Sequence, residues 1–292
     1  MTDWTIRRMR WKIDALNAMR RPLVYNRDLP PIGVYRSDLA YGSHRQQRAD
    51  LAVPMGSGPF PMMLFIHGGG WISGEKSSFR RLCHWFAHRG FLVANINYRL
   101  APDYPFPAAV SDVAAAVDWL VSVAPSVGGD AKRLFLAGDS AGAHLAAWYA
   151  CARHHQRPGA ILENVTTPAA VIRGLLLWYG VFDLTRNVEP IAAMVRAFLG
   201  SDPDGGRADL ASVLPHLSAA MPPMWVCCGE VDPLYAQTKA LLKAIKRLKL
   251  RHDALIFDAA ADPRAEHAFI TDPANPCTPV ALDSALDFMG RI

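Results

Sequence analysis

The chain has 292 residues, 51% hydrophobic and 20% charged, a balance that supports a sizeable core and excludes an intrinsically disordered protein. Lys and Arg number 31 against 26 Asp and Glu, a net charge of +5 that identifies no partner, and the basic residues cluster on helical faces, so nucleic-acid binding is not expected. Five cysteines, Cys83, Cys151, Cys227, Cys228 and Cys277, form neither an even framework nor a C-x-x-C pair, which predicts reduced thiols and a cytoplasmic location.

The N-terminus lacks a continuous apolar stretch, and no run of about 18 apolar residues is evident, so neither a secretory leader nor a membrane span is expected. Met1 to Arg21 instead places Ile6, Met9, Ile13, Leu16 and Met19 at nearly helical spacing with arginines between them, which predicts an amphipathic helix. Such a helix suits either a cap over a pocket or weak association with an anionic membrane surface through Trp4 and Trp11.

From Val34 onward, short apolar or alternating runs recur between longer stretches of helical spacing, the pattern of a mostly parallel sheet with crossover helices. Eight strands are predicted, centred on Val34 to Ala40, Arg48 to Val53, Met62 to Ile66, Phe91 to Asn97, Arg133 to Ala137, Ile172 to Trp178, Met224 to Cys228 and Asp253 to Phe257. The first two are close in sequence and should pair antiparallel at an edge. Crossover helices are predicted over Val110 to Val121 and Ala236 to Leu250. A short amphipathic stretch, Ile191 to Leu199, interrupts the alternation, and Ser201 to Arg207 has loop composition. One domain over residues 1–292 is expected, with 1–33 and about 183–212 as cap elements. Asn164-Val165-Thr166 is a formal glycosylation acceptor that carries no weight without a secretory route.

Gly138-Asp139-Ser140-Ala141-Gly142 lies between a predicted strand and an alanine-rich helix. This G-x-S-x-G arrangement is a nucleophile elbow: its glycines let two backbones approach, and the strained turn lifts Ser140 Oγ to the sheet's carboxyl end. A second glycine string, His67-Gly68-Gly69-Gly70-Trp71, leaves the third predicted strand. Bare amides of Gly69 and Gly70, with that of Ala141 after the serine, are the donors an oxyanion hole requires.

The strings His67-Gly68-Gly69-Gly70, Tyr98-Arg99-Leu100-Ala101-Pro102 with Phe106-Pro107-Ala108, and Gly138-Asp139-Ser140-Ala141-Gly142 resemble the hormone-sensitive-lipase-like esterases of the α/β-hydrolase superfamily, over most of the chain from Val34 onward. The resemblance implies an eight-stranded, mostly parallel α/β-hydrolase fold with a small helical cap, and carboxylesterase activity on acyl chains of short to medium length. It also favours the cap role for the N-terminal helix. His67 to Gly74 is similar to the kynurenine formamidase and feruloyl or acetyl-xylan esterase branches as well, which leaves the substrate open.

The superfamily orders its triad as serine, acid, histidine. Asp232 matches the family's Asp-Pro-Leu string at the end of the seventh strand, with Glu230 as a rival, and His267 follows the eighth; the family usually has glycine where this chain has Ala268. His252 falls before the eighth strand, at the wrong end of the sheet, and His67, His144 and His216 suit structural or substrate-lining roles. Arg99, Asp103 and Asp112 suit salt bridges or loop braces, and Trp71, Trp178 and Tyr179 suit either an acyl pocket or the core.

The expected chemistry is acyl transfer from a small-molecule ester through Ser140, His267 and Asp232, with Gly69, Gly70 and Ala141 holding the oxyanion. No metal-ligand spacing, phosphate loop or dinucleotide fingerprint is present, so no cofactor and no metal are expected. Formamide or amide cleavage uses the same residues, and a non-catalytic ligand-binding module of this fold is the alternative of another class. A homo-oligomer is compatible with the sequence.

Overall fold

The computed structural model describes residues 3–153, 162, 171–185, 190–202 and 205–292, and Asn164 of the formal glycosylation triplet lies outside them. Eight strands form one sheet: β1 (Val34–Ala40), β2 (Arg48–Val53), β3 (Phe60–Ile66), β4 (Leu92–Ile96), β5 (Gly129–Asp139), β6 (Ile172–Trp178), β7 (Met224–Gly229) and β8 (His252–Phe257). Their order across the sheet is β1-β2-β4-β3-β5-β6-β7-β8. Strand β2 runs antiparallel to both β1 and β4, and the remaining neighbours are parallel.

All eight predicted strands are present. β5 is longer than its predicted core because Phe60 and Pro61 extend β3 and pair with Gly129 and Asp130. β8 begins at His252, so that residue opens the strand instead of preceding it, still at the end opposite the site. Central strands bury both faces: Met62, Leu64 and Ile66 enter one core while Met63 and Phe65 enter the other, and Leu134 and Leu136 oppose Phe135 and Ala137 in the same way. This alternation between two apolar layers is why these runs read as nearly continuous hydrophobic segments.

The helices are α1 (Asp3–Arg20), α2 (Arg80–His88), α3 (Ala108–Val123), α4 (Ala141–Ala152), α5 (Ala192–Leu199), α6 (Arg207–Ala211), α7 (Tyr235–Arg247) and α8 (Cys277–Gly290). Helices α3, α4 and α7 pack on one side of the sheet through Val113, Val117, Leu145 and Ile245, and α2 and α8 cover the other through Leu82, Phe86, Leu282 and Phe288. One helical stretch, Ala108–Val127, has the length and mean composition of a membrane span although Asp112 and Asp118 interrupt it. Its Val110, Val113, Val117 and Leu120 are wholly buried in the protein core, which accounts for its composition.

The expected apolar stripe of α1 splits. Ile6 is buried against Ile72 and Ala101 with Met9 alongside, but Leu16 and Met19 are 45% and 60% exposed. The inward face instead continues through polar positions: Arg7 and Arg10 pair with Asp103, and Asp14 accepts the Gly74 N–H at 3.2 Å. Below α1, Arg21 pairs with Glu75 at 2.7 Å. Ion pairs and a backbone contact therefore set the helix's rotation in place of its apolar period.

Candidate functional site

The carboxyl ends of β3, β5, β7 and β8 converge on one cavity. Ser140 follows β5 directly and holds φ +51°, a strained conformation for a residue with a side chain. Its N–H donates to Trp178 O at 2.9 Å, fixing the turn to β6. The turn is tight because α4 begins at once: a Cβ on Gly142 would lie 1.9 Å from Ile66 O, so only glycine admits the end of β3 this close.

His267 Nε2 lies 3.0 Å from Ser140 Oγ, and its Nδ1 lies 2.8 Å from Asp232 Oδ2. The second oxygen of Asp232 accepts Leu234 N–H at 2.7 Å, and the carboxylate side chain is fully buried. A carboxylate so placed holds Nδ1 protonated and leaves Nε2 free to accept the serine proton. Glu230, the rival acid, is exposed and accepts Ala259 N–H at 3.2 Å, a loop contact away from His267. Ala268 holds φ +67°, so this chain keeps a glycine-like conformation at a position where the family usually has glycine, at a cost of about 1–2 kcal/mol.

The glycine loop faces the same cavity. Gly69 holds φ +112° and a Cβ there would lie 2.2 Å from Ser73 O. Gly68 N–H donates to Asp139 Oδ1 at 2.6 Å. The N–H groups of Gly69, Gly70 and Ala141 have no acceptor among the described residues, and all three residues line the cavity with Ser140 and His267. Unpaired donors beside a positioned hydroxyl suit the stabilisation of negative charge on a carbonyl oxygen.

Two buried groups support this loop: Asp139, which has no role assigned from the sequence, and His144, for which the sequence left a structural or a substrate-lining role open. Asp139 is buried under the elbow, and burial pushes its pKa up to about 7 although Gly68 N–H and the charge of His267 oppose the rise. His144, one turn beyond Ser140, has Nδ1 accepting from Trp71 Nε1 at 3.1 Å and Nε2 donating to Ala211 O at 2.7 Å. The indole only donates and the carbonyl only accepts, so this imidazole is neutral with its proton on Nε2. Burial draws its pKa down to about 4, in agreement. His144 thus ties the glycine loop to the segment before β7. It braces the site and does not line it.

The other expectations resolve similarly. His67 is buried, stacks on Tyr98 at 4.4 Å and donates from Nδ1 to Gly68 O at 2.6 Å, and burial lowers its pKa to about 4. His216 contacts Asp209 O at 3.2 Å, away from the cavity. Arg99 clasps Asp112 with Nε and Nη2, and Asp103 holds α1. Trp71 lines the cavity, whereas Trp178 and Tyr179 are wholly buried in the core, Tyr179 with its ring 4.9 Å from His267. The cavity is also walled by Ile13 and Asn17 of α1, Tyr25, Met194, Phe79 and Val181, and of these only Phe79 and Val181 lie outside the segments from which the sequence suggested a cap. Among the described residues no group of three or more His, Cys, Asp or Glu side chains is placed to hold a metal ion.

Esterase LipQ of Mycobacterium tuberculosis is 29% identical over 275 residues, 88% of this chain and 62% of LipQ, so the chain spans less than two thirds of that relative. Among solved structures, esterase B from Lactobacillus rhamnosis superimposes with a TM-score of 0.87 at 24% identity, over 98% of this chain and 95% of that one. The thermostable carboxylesterase EstE1, cloned from a metagenomic library, is 25% identical with a TM-score of 0.78, over 97% and 96% of the two chains. The family model for the alpha/beta hydrolase fold matches residues 63–259. That match takes in the glycine loop, the elbow and the acid of the site on a sheet shared with solved esterases, and the chain belongs to the α/β-hydrolase fold family, in its hormone-sensitive-lipase-like branch.

Proposed function

We propose that this chain is a serine carboxylesterase that hydrolyses carboxylic esters of short to medium acyl chain through an acyl-enzyme. The observation that carries the reading is the continuous chain from Asp232 through His267 to Ser140, at 2.8 and 3.0 Å, beside three unpaired amides on one cavity of about 240 Å³. Relatives named as esterases, LipQ and EstE1 among them, support it.

Ser140 Oγ attacks the ester carbonyl while His267 Nε2 takes its proton, and Asp232 stabilises the imidazolium. The amides of Gly69, Gly70 and Ala141 receive the oxyanion. His267 then protonates the departing alkoxide, leaving the acyl group on Ser140. Water, deprotonated by the same imidazole, attacks the acyl carbon and releases the acid with Ser140 restored.

Helix α1 and the region of α5 act as the cap. Ile13 and Asn17 from the first, with Ile191 and Met194 from the second, wall the cavity, exclude water and limit acyl length. A cytoplasmic site of action belongs to the same reading, supported by five cysteines that are all buried and free. The test is a substrate panel: p-nitrophenyl esters of graded chain length, an aryl formamide, a feruloyl ester and an acetylated sugar. The expected outcome is the highest kcat/KM on a short or medium ester; a higher value on the formamide, or no turnover of any ester, overturns the proposal.

A further inference from the structure

Helix α1 presents two different faces. The inner one is held by Ile6, the Asp103 ion pairs and the cavity wall at Ile13 and Asn17. The outer one packs against no other element among the described residues. Of the ten large apolar side chains exposed among the described residues, five lie between residues 4 and 23: Trp4 and Trp11 are 67% and 69% exposed, with Leu16 at 45%, Met19 at 60% and Leu23 at 64%. Single exposed apolar residues are ordinary on a soluble surface, but four along one helix with Leu23 just beyond its end mark a contact surface.

The charges on that face have one sign. Arg8, Lys12 and Arg20 are exposed beside the tryptophans, and Arg8 lies over the Trp4 ring at 5.6 Å. None of these three cations has an ion-pair partner among the described residues. Asp14, at an intermediate position, is engaged by Arg10 at 3.6 Å and by the Gly74 amide, and no fully exposed position from Trp4 to Leu23 carries a carboxylate. From Trp4 to Met19 the strip is about 22 Å long at 1.5 Å per residue.

We propose that this outer face docks the protein on an anionic lipid surface, with Trp4, Trp11, Met19 and Leu23 entering the interfacial layer and Arg8, Lys12 and Arg20 meeting the headgroups. Indole rings with their polar N–H favour that layer, and cationic side chains between them select anionic headgroups. A second copy of the chain fits less well. A two-fold contact through this strip sets Arg8, Lys12 and Arg20 against their own copies, while Asp14 is already engaged by Arg10 and the Gly74 amide. Because the opposite face of the same helix walls the cavity, a docked molecule holds that wall within one helix diameter, about 10 Å, of the lipid. The inference concerns binding and stands whether or not the esterase reading does.

The test is co-sedimentation of the full chain with vesicles of phosphatidylcholine alone or with one third phosphatidylglycerol, at low and high salt, followed also by tryptophan emission. Expected are selective pelleting with the anionic vesicles, a blue shift of emission, and release by salt. Each basic residue near an anionic surface raises partitioning roughly five-fold, so Arg8→Gln/Lys12→Gln lowers it about 25-fold. Trp4→Ala/Trp11→Ala abolishes the blue shift. Both variants retain wild-type helicity and wild-type turnover of a short soluble ester, since neither pair lines the cavity. Equal binding to both vesicle types, binding indifferent to the Arg8/Lys12 change, or no binding overturns the proposal. So does a wild-type dimer, by size exclusion, that Trp4→Ala/Trp11→Ala converts to monomer without any vesicle binding.

Discussion

Replacing Asp139 by Asn tests the account of the buried carboxyl beneath the glycine loop. Unfolded, this carboxyl ionises above its ordinary value of 3.8, whereas in the fold burial keeps it protonated until about 7. Between those values the folded state holds a proton that the unfolded state has released. The contribution of this group to stability is therefore fully present below 3.8 and is lost as pH rises through about 7. At 1.36 kcal/mol per pKa unit the loss amounts to about 4 kcal/mol. Asparagine cannot ionise, and its Oδ1 can still accept the Gly68 N–H now held at 2.6 Å. Urea unfolding of both proteins across this range should show Asp139→Asn gaining on wild type by several kcal/mol as pH rises, with no further gain in mild alkali. A difference that stays constant with pH, or that shrinks as pH rises, refutes the burial argument. Activity gives a second reading: Asp139→Asn retains most of kcat, while Asp139→Leu, with no acceptor for Gly68, loses about 10²–10³ as the oxyanion donors move.

Three further outcomes follow from the contacts around the site. His144→Leu strands the Trp71 indole N–H and the Ala211 carbonyl in the core, at about 1–3 kcal/mol for each unsatisfied group; a lower urea midpoint together with reduced kcat is expected, and His144→Gln should recover part of both. Lys76 is buried between Asp38 at 2.8 Å and Asp50 at 2.6 Å; burial opposes its charge, yet the two carboxylates outweigh that and raise its pKa. Lys76→Met leaves Asp50 unpaired and should cost about 3–5 kcal/mol, with Lys76→Met/Asp50→Asn less destabilised than the sum of the single changes. Deleting residues 1–21 removes the Ile13 and Asn17 wall, so the ratio of kcat/KM on long against short esters should change and stability should fall; an unchanged ratio in a folded truncation contradicts the cap.

The strands, and the residues that meet as Ser140, His267 and Asp232, were legible because each rests on local signals. Two-sided burial writes nearly continuous apolar runs such as Met62 to Ile66, and the elbow needs glycine where Gly142 meets Ile66 O. Chain order then leaves Asp232 and His267 at the correct strand ends. What was not legible depends on partners distant in sequence. Asp139 stands at an unrestricted position of G-x-S-x-G, and only its approach to Gly68, 71 residues earlier, reveals its role. For His144 the sequence left structural and substrate-lining roles open, and the partner that decides for the first, Ala211, lies 67 residues away. The α1 stripe was misread at Leu16 and Met19 because apolar spacing ignores the polar inner positions, where Arg10 and Asp14 find Asp103 and the Gly74 amide. Helices α2 and α8 left weaker traces: α2 has nine residues, and α8 lies beyond the last motif that chain order could interpret.

The most direct measurement is active-site labelling of wild type and Ser140→Ala with a fluorophosphonate, read by mass spectrometry beside ester turnover. The substitution adds no volume at the elbow, and both proteins should unfold cooperatively. Expected are one adduct per chain, located on Ser140, with esterase activity lost in step with labelling, and neither label nor turnover in Ser140→Ala. A folded Ser140→Ala that hydrolyses esters near the wild-type rate, or an inactivating adduct on another residue, contradicts it.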